Sequence, residues 1–400
     1  MRNSAVRVRF AILLTTAVVA VPSMLHAQNT FVSGPLTWSP TFQLRDTGVD
    51  SNVFNATSDP REDVTSVASS QANAVLKLGI LQATTQGGVD YLYFERYKSE
   101  RGFNRRVSSR INFPLTRVSP EVAVSWAHTR DRSNNEIDIR APRTEWGYGL
   151  GVSAKVASRL SVTATGGQQR SEYERGFVFR GVELAPQLTR DSLTGSASGR
   201  ISLTPFTTLS LDAAFARDEF PSRPDAATDN IRGNLTFEFG PDAVIHGHAS
   251  VGYHSMQPRQ GDATDAAAAF DGFTSTTELG YTLLGVTRFS GRFTRDSTYS
   301  ISLGHPYYVS TAGGVDILQN LIGPIDLALR LSRERLDYPQ TAAASARIDH
   351  AESIGGGLSI RVGDGAVVAL LYDNSRRRST GGTLFDYDRR RLYTTITYGM

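Results

Sequence analysis

Segment after segment of this chain alternates apolar and polar residues, and that period of two constrains it to sheet. In 231–239, Ile231, Gly233, Leu235, Phe237 and Phe239 share one face, while Arg232, Asn234, Thr236 and Glu238 take the other. In 146–156, Trp146, Tyr148, Leu150, Val152, Ala154 and Val156 oppose Gly147, Gly149, Gly151, Ser153 and Lys155. In 325–334, Ile325, Leu327, Leu329 and Leu331 oppose Asp326, Arg330, Ser332 and Glu334. Successive strand side chains point to opposite sides, so each segment reads as a strand with one apolar and one polar face. The pattern continues through 392–400, where Leu392, Thr394, Ile396, Tyr398 and Met400 oppose Tyr393, Thr395 and Thr397. An outer-membrane barrel ends this way because its last strand closes on its first. A soluble edge strand is the competing reading.

The start of the chain indicates the compartment. Arg2, Arg7 and Arg9 precede an apolar run over 10–21, broken by Pro22 and followed by Ala27. This is the pattern of a secretory signal peptide, expected over 1–27, and the run is too short for a membrane-spanning helix. These residues hold three arginines and no acid, so the net charge of +3 belongs to them. The remainder is balanced, and nucleic acid is not an expected partner. With no cysteine, disulfides, thiolate metal sites and lipid attachment at a terminal Cys are excluded. No segment approaches 18 consecutive apolar residues.

A hydrophobic content of 40% and a mean hydropathy of −0.25 still allow an integral protein. In hydrocarbon every backbone donor and acceptor must be paired, so a sheet there has to close, and half of each strand then faces the lumen. The expected architecture is an all-β, transmembrane antiparallel up-and-down barrel of 18 strands, or 16. The strands are expected at 38–47, 66–78, 84–97, 104–113, 121–131, 144–155, 160–174, 192–203 and 208–217. The second half continues at 230–239, 244–254, 274–284, 287–297, 307–319, 325–336, 351–362, 366–377 and 390–399. Short connections (156–159, 204–207, 240–243, 323–324, 363–365) alternate with long polar ones (132–143, 176–191, 219–229, 256–272, 337–350, 379–388), as periplasmic turns alternate with outer loops. The layout is a signal peptide (1–27), a short periplasmic segment (28–37) and the barrel (38–400). Outer-membrane lipid and lipopolysaccharide are its surroundings. Trp38, Tyr97, Trp126, Trp146, Tyr281 and Tyr398 suit interfacial girdles, although strand propensity explains each of them as well.

With the apolar faces toward lipid, the lumen receives Arg110, Lys155, Arg200, Arg232, Arg288, Arg292, Arg330, Arg361 and Arg391, and fewer acids: Glu145, Asp212, Glu238, Glu278, Asp326 and Glu334. A basic lumen would contact anions or acidic sugars, since a guanidinium grips carboxylate and phosphate. Pairing of these residues across strands is the equal alternative. Inward folding of 176–191 or 256–272 would narrow the channel. Catalytic or metal chemistry is weakly signalled. His246, His248 and His254 share one strand face, and Asp46, Asp50, Asp131 and Asp296 lie near outer strand ends, but no Gly-x-Ser-x-Gly elbow exists. The Gly355–Gly357 run has no helix behind it and is no phosphate loop. The chain is expected to be no enzyme and to need no cofactor.

Two regions carry a family resemblance. Residues 38–54, a first strand leading into Asp50-Ser-Asn-Val-Phe54, and 299–338, with Tyr307-Tyr308 and the Gly323-Pro324 turn, resemble the outer-membrane barrels grouped as β-barrel porin type 2. The resemblance implies a passive conduit or accessory for exporting a surface polysaccharide, with no catalytic residues. Polysaccharide, an export apparatus and, through the C-terminal strand, the barrel assembly machinery are the implied partners. A general or anion-preferring diffusion porin and a purely structural barrel remain the alternatives.

Overall fold

The computed structural model describes residues 30–132, 134–259, 269–302, 304–363 and 365–399. The expected signal peptide, Met400 and most of the 256–272 connection lie outside the described residues. The barrel strands are β1 (Leu36–Asp50), β2 (Asp63–Leu78), β3 (Leu81–Phe94), β4 (Gly102–Asn112), β5 (Val118–Thr129) and β6 (Arg143–Lys155). Then follow β7 (Leu160–Tyr173), β8 (Arg190–Thr204), β9 (Thr207–Glu219), β10 (Thr228–Phe239), β11 (Ile245–Pro258) and β12 (Phe270–Leu283). The last are β13 (Thr287–Tyr299), β14 (Tyr307–Ile322), β15 (Ile325–Tyr338), β16 (Arg347–Val362), β17 (Ala366–Ser379) and β18 (Tyr387–Tyr398).

Each strand pairs antiparallel with the next, and β18 returns to β1 through Phe42↔Tyr398, Gln43↔Thr397 and Leu44↔Ile396. The sheet is a closed 18-stranded barrel, which excludes the count of 16. A short hairpin at the foot of β1 pairs Phe31–Ser33 with Leu36–Trp38 and stacks Phe31 on Trp38. The turns 79–80, 205–206 and 323–324 close one end, and 51–62, 130–142 and 174–189 crowd the other. Gly323, at φ +55°, supplies the left-handed backbone its two-residue turn requires.

Alternation assigns the faces. Leu150, Leu211, Val251, Phe273, Leu331, Leu358 and Leu370 are exposed on the outer wall, where lipid covers them. The buried apolar clusters gather instead at the outer end. Examples are Val53 with Leu92 and Phe94, Met256 with Phe270, and Tyr308 with Leu336 and Tyr338. Two details differ from expectation. Tyr97 is not on a lipid-facing strand: β3 stops at Phe94, and Tyr97 lies in the outer loop edge-on to Phe54. And β1 slips register between Leu44 and Gly48 around Asp46, at φ +54°. The bulge keeps Trp38, Phe42 and Leu44 outward below it and Val49 outward above it, although their numbering parity differs.

Candidate functional site

The connection between β5 and β6, residues 130–142, folds inward across the outer part of the lumen. Its sequence explains this. Ile137 and Ala141 are buried with Tyr173, Phe179, Leu184, Ala185 and Ile301, and Ile139 packs against them. The short helix Leu184–Leu188 within 174–189 forms much of that seat. Asn134 turns the loop by accepting hydrogen bonds from the backbone N–H groups of Glu136 and Ile137.

The loop reaches the opposite wall. Asn135 donates to the Glu334 carboxylate on β15, and Arg377 on β17 donates to the Asn135 carbonyl at 2.6 Å. Arg377, 1% exposed, also pairs with Asp349 at 2.6 Å and with Asp138 of the loop at 3.6 Å. On the near side Arg132 donates to the carbonyls of Asp138 at 2.7 Å and Val53 at 2.6 Å. Asn55 donates to Asp138 at 2.9 Å. Burial, with the neighbouring Arg140 and Arg389 adding, pushes the Arg132 guanidinium down to about 9. Burial likewise raises the Glu136 carboxyl, against hydrogen bonds from Ser300 Oγ at 2.6 Å and Ile301 N at 3.2 Å.

Space remains beneath and beside the loop. A pocket of about 740 Å³ against β1–β8 is lined by Gln71, Asn73, Gln86, Ser125 and Gln169, with Arg106 and Glu145. It leads into a further 590 Å³ flanked by Arg110 and Glu121. On the far side Asn135, Arg292, Glu334 and Tyr387 border a cleft of about 340 Å³. Hydroxyls, amides and a few charges therefore line the way through.

The basic residues assigned to the lumen are largely matched by acids. Arg232 meets Asp296 at 2.6 Å, Arg330 meets Asp316 at 2.8 Å, Arg361 meets Asp326 at 3.7 Å and Arg110 meets Glu121 at 3.8 Å. Arg200 pairs with Glu238, and Arg292 shares Asp316 with Arg330. Arg391 pairs with Asp373 at 2.7 Å. Lys155 and Arg288 have no ion-pair partner among the described residues. Cross-strand pairing, the alternative reading, thus describes seven of the nine assigned cations, with Glu121, Glu238, Asp296, Asp316, Asp326 and Asp373 as their partners. The structure does not gather the nine assigned residues into one cluster: they are spread along β4, β6, β8, β10, β13, β15, β16 and β18.

The candidate carboxylates and His254 have structural partners. Asp50 is held by Arg389 at 2.9 Å, Asp46 by Arg391 at 3.5 Å and Asp131 by Arg143 at 3.1 Å. His254 is buried between Ser297 Oγ at 3.0 Å and Asn230 Oδ1 at 3.1 Å. No group of three potential metal ligands occurs among the described residues. The main feature missed was loop 130–142. Its signal was Ile137, Ile139 and Ala141 among charged residues in a connection too polar to be a strand: apolar residues there need a burial site.

Known proteins share this architecture. OccK2 (OpdF) of Pseudomonas aeruginosa, solved with glucuronate, superposes with a TM-score of 0.54 at 13% identity, over 90% of this chain and 98% of its own. A BenF-like porin of Pseudomonas fluorescens Pf-5 gives 0.52 at 13%, over 91% and 98%. OpdK of Pseudomonas aeruginosa with vanillate gives 0.51 at 12%, over 90% and 98%. At such identities the likeness is one of fold. No curated protein sequence matches the chain. The family described as Putative beta-barrel porin 2 matches residues 33–399, nearly the whole described barrel. The chain belongs to that family and is an outer-membrane β-barrel.

Proposed function

We propose that this barrel is a diffusion porin, a narrowed channel for small polar solutes with a preference for small carboxylates. The observation that carries the reading is loop 130–142, tethered to Glu334 and Arg377 on the far wall. A strap across the lumen suits small solutes and obstructs a polymer, so it speaks against polysaccharide export. The lining supports the carboxylate preference. Lys155 and Arg288, near the short-turn end of the lumen, are free to attract anions, and the Gln, Asn and Ser wall offers exchangeable hydrogen bonds. The glucuronate and vanillate bound by the two Pseudomonas porins are solutes of this kind.

The test is single-channel recording in planar bilayers. The native protein should show small conductance steps that glucuronate reduces. The Glu334→Ala/Arg377→Ala variant, with both tethers removed, should show steps several-fold larger. Equal steps in the two proteins would discard the strap as the constriction. In the bacterium, loss of surface polysaccharide on deleting the gene, restored by the native protein, would return the export reading to first place.

A further inference from the structure

The exterior wall carries a second feature that solute passage does not use. On β13–β16 the exposed lipid-facing apolar residues include Phe293, Val315, Leu331 and Ile354. Further toward the outer ends of the strands, the same face carries Arg295, Arg333, Arg335 and, on β17, Arg376. Arg333 and Arg376 flank Glu352, with their Nε atoms 3.4 and 2.8 Å from its carboxylate. Arg335 donates to Asp337 at 2.8 Å, and Arg295 donates to Thr311 at 3.0 Å. The Arg333 and Arg376 side chains remain 66% and 60% exposed. Beside them runs a groove of about 870 Å³ whose floor includes Gly313, with Phe293, Leu331 and Ile354 along its apolar part.

Four guanidinium groups against two carboxylates leave a positive excess on a surface that meets lipid. Along β7–β11 the balance is reversed. There Arg170, Arg217 and Arg259, at or just past the outer ends of β7, β9 and β11, are outnumbered by Glu172, Asp191, Glu219 and Asp229. Of these two stretches of rim, only β13–β17 carries a cationic excess. An arginine at the edge of hydrocarbon requires an anionic oxygen, and its fork matches phosphate.

The geometry points to a binding site for the phosphorylated glycolipid of the outer leaflet, with a lipid A phosphate on Arg333 and Arg376 and an acyl chain in the groove over Gly313. Glu352 holds the two arginines side by side and leaves their remaining donors for the phosphate. Gly313 gives the chain room, since a Cβ there would come no nearer than 3.9 Å to any neighbouring atom.

The test measures retention of lipid A by the full-length protein during detergent exchange, read by native mass spectrometry. The native barrel should hold bisphosphorylated lipid A and release its dephosphorylated form. Arg333→Gln/Arg376→Gln should weaken retention about tenfold or more, the scale of losing charge-assisted hydrogen bonds. Gly313→Leu, which fills the groove and keeps both arginines, should weaken it as well. Arg170→Gln/Arg217→Gln on β7 and β9 should retain lipid A as the native protein does. Each variant must first show the heat-sensitive gel mobility of a folded barrel, so that misfolding is not scored as lost binding. Equal retention of the dephosphorylated lipid, or unchanged retention by the arginine double variant, overturns the proposal.

Discussion

Glu136 shows what a single residue does to the strap. Its carboxyl is buried and raised above its ordinary value of 4.5, so the charged form is disfavoured where it sits. Below that ordinary value both the seated and the loosened loop hold the proton, and no penalty exists. As pH rises from there through the raised value, the loosened loop gives up its proton first and the seat weakens. Current noise from loop motion should therefore grow as pH rises out of the acidic range, and Glu136→Gln should flatten the dependence. The same pH response in that variant would remove Glu136 from the account. At this scale the sequence was half legible. Alternation placed Arg200 and Arg232 on the polar face, but their partners Glu238 and Asp296 sit two and three strands away. Such pairs depend on side-chain reach and register around the wall, which no local pattern encodes.

The strands were far more legible, because lipid on one side and water on the other stamp a period of two on each. All 18 expected strands overlap observed ones. The mismatches lie mostly at the outer ends, where β11 runs on to Pro258 and β16 begins at Arg347. Both faces are polar there, so alternation fades while hydrogen bonding continues. The bulge at Asp46 hid for a related reason: it shifts parity without changing which residues meet lipid. The two faces of β9 should respond unequally to substitution. Leu211→Arg on the lipid side should cost about 2–4 kcal/mol, as for an arginine near the membrane midplane. Asp212→Asn beside it, facing the lumen, should stay within about 0.5 kcal/mol. Reversible denaturant unfolding in lipid vesicles would measure both, and similar losses would mean that the faces are misassigned.

For the whole molecule, closure is the property most open to direct trial. Gln43 on β1 and Thr397 on β18 are register partners on the lumen side, and the chain has no cysteine to interfere. Gln43→Cys with Thr397→Cys should form a disulfide under oxidising conditions, since facing antiparallel residues lie within bridging distance. The cross-linked chain should migrate differently from its reduced form on a denaturing gel even after boiling. Absence of that shift would argue for an open seam. The strap also sets an order of events. Asn135 meets Glu334 and Arg377, contacts separated by 199 and 242 residues along the chain. Contacts of such separation carry a large loop-closure cost until the intervening sheet exists. The loop thus gains its far anchors only once β15 and β17 are in place. The unfinished barrel passes through a wider, water-filled stage, and the channel acquires its final bore as one of the last acts of assembly.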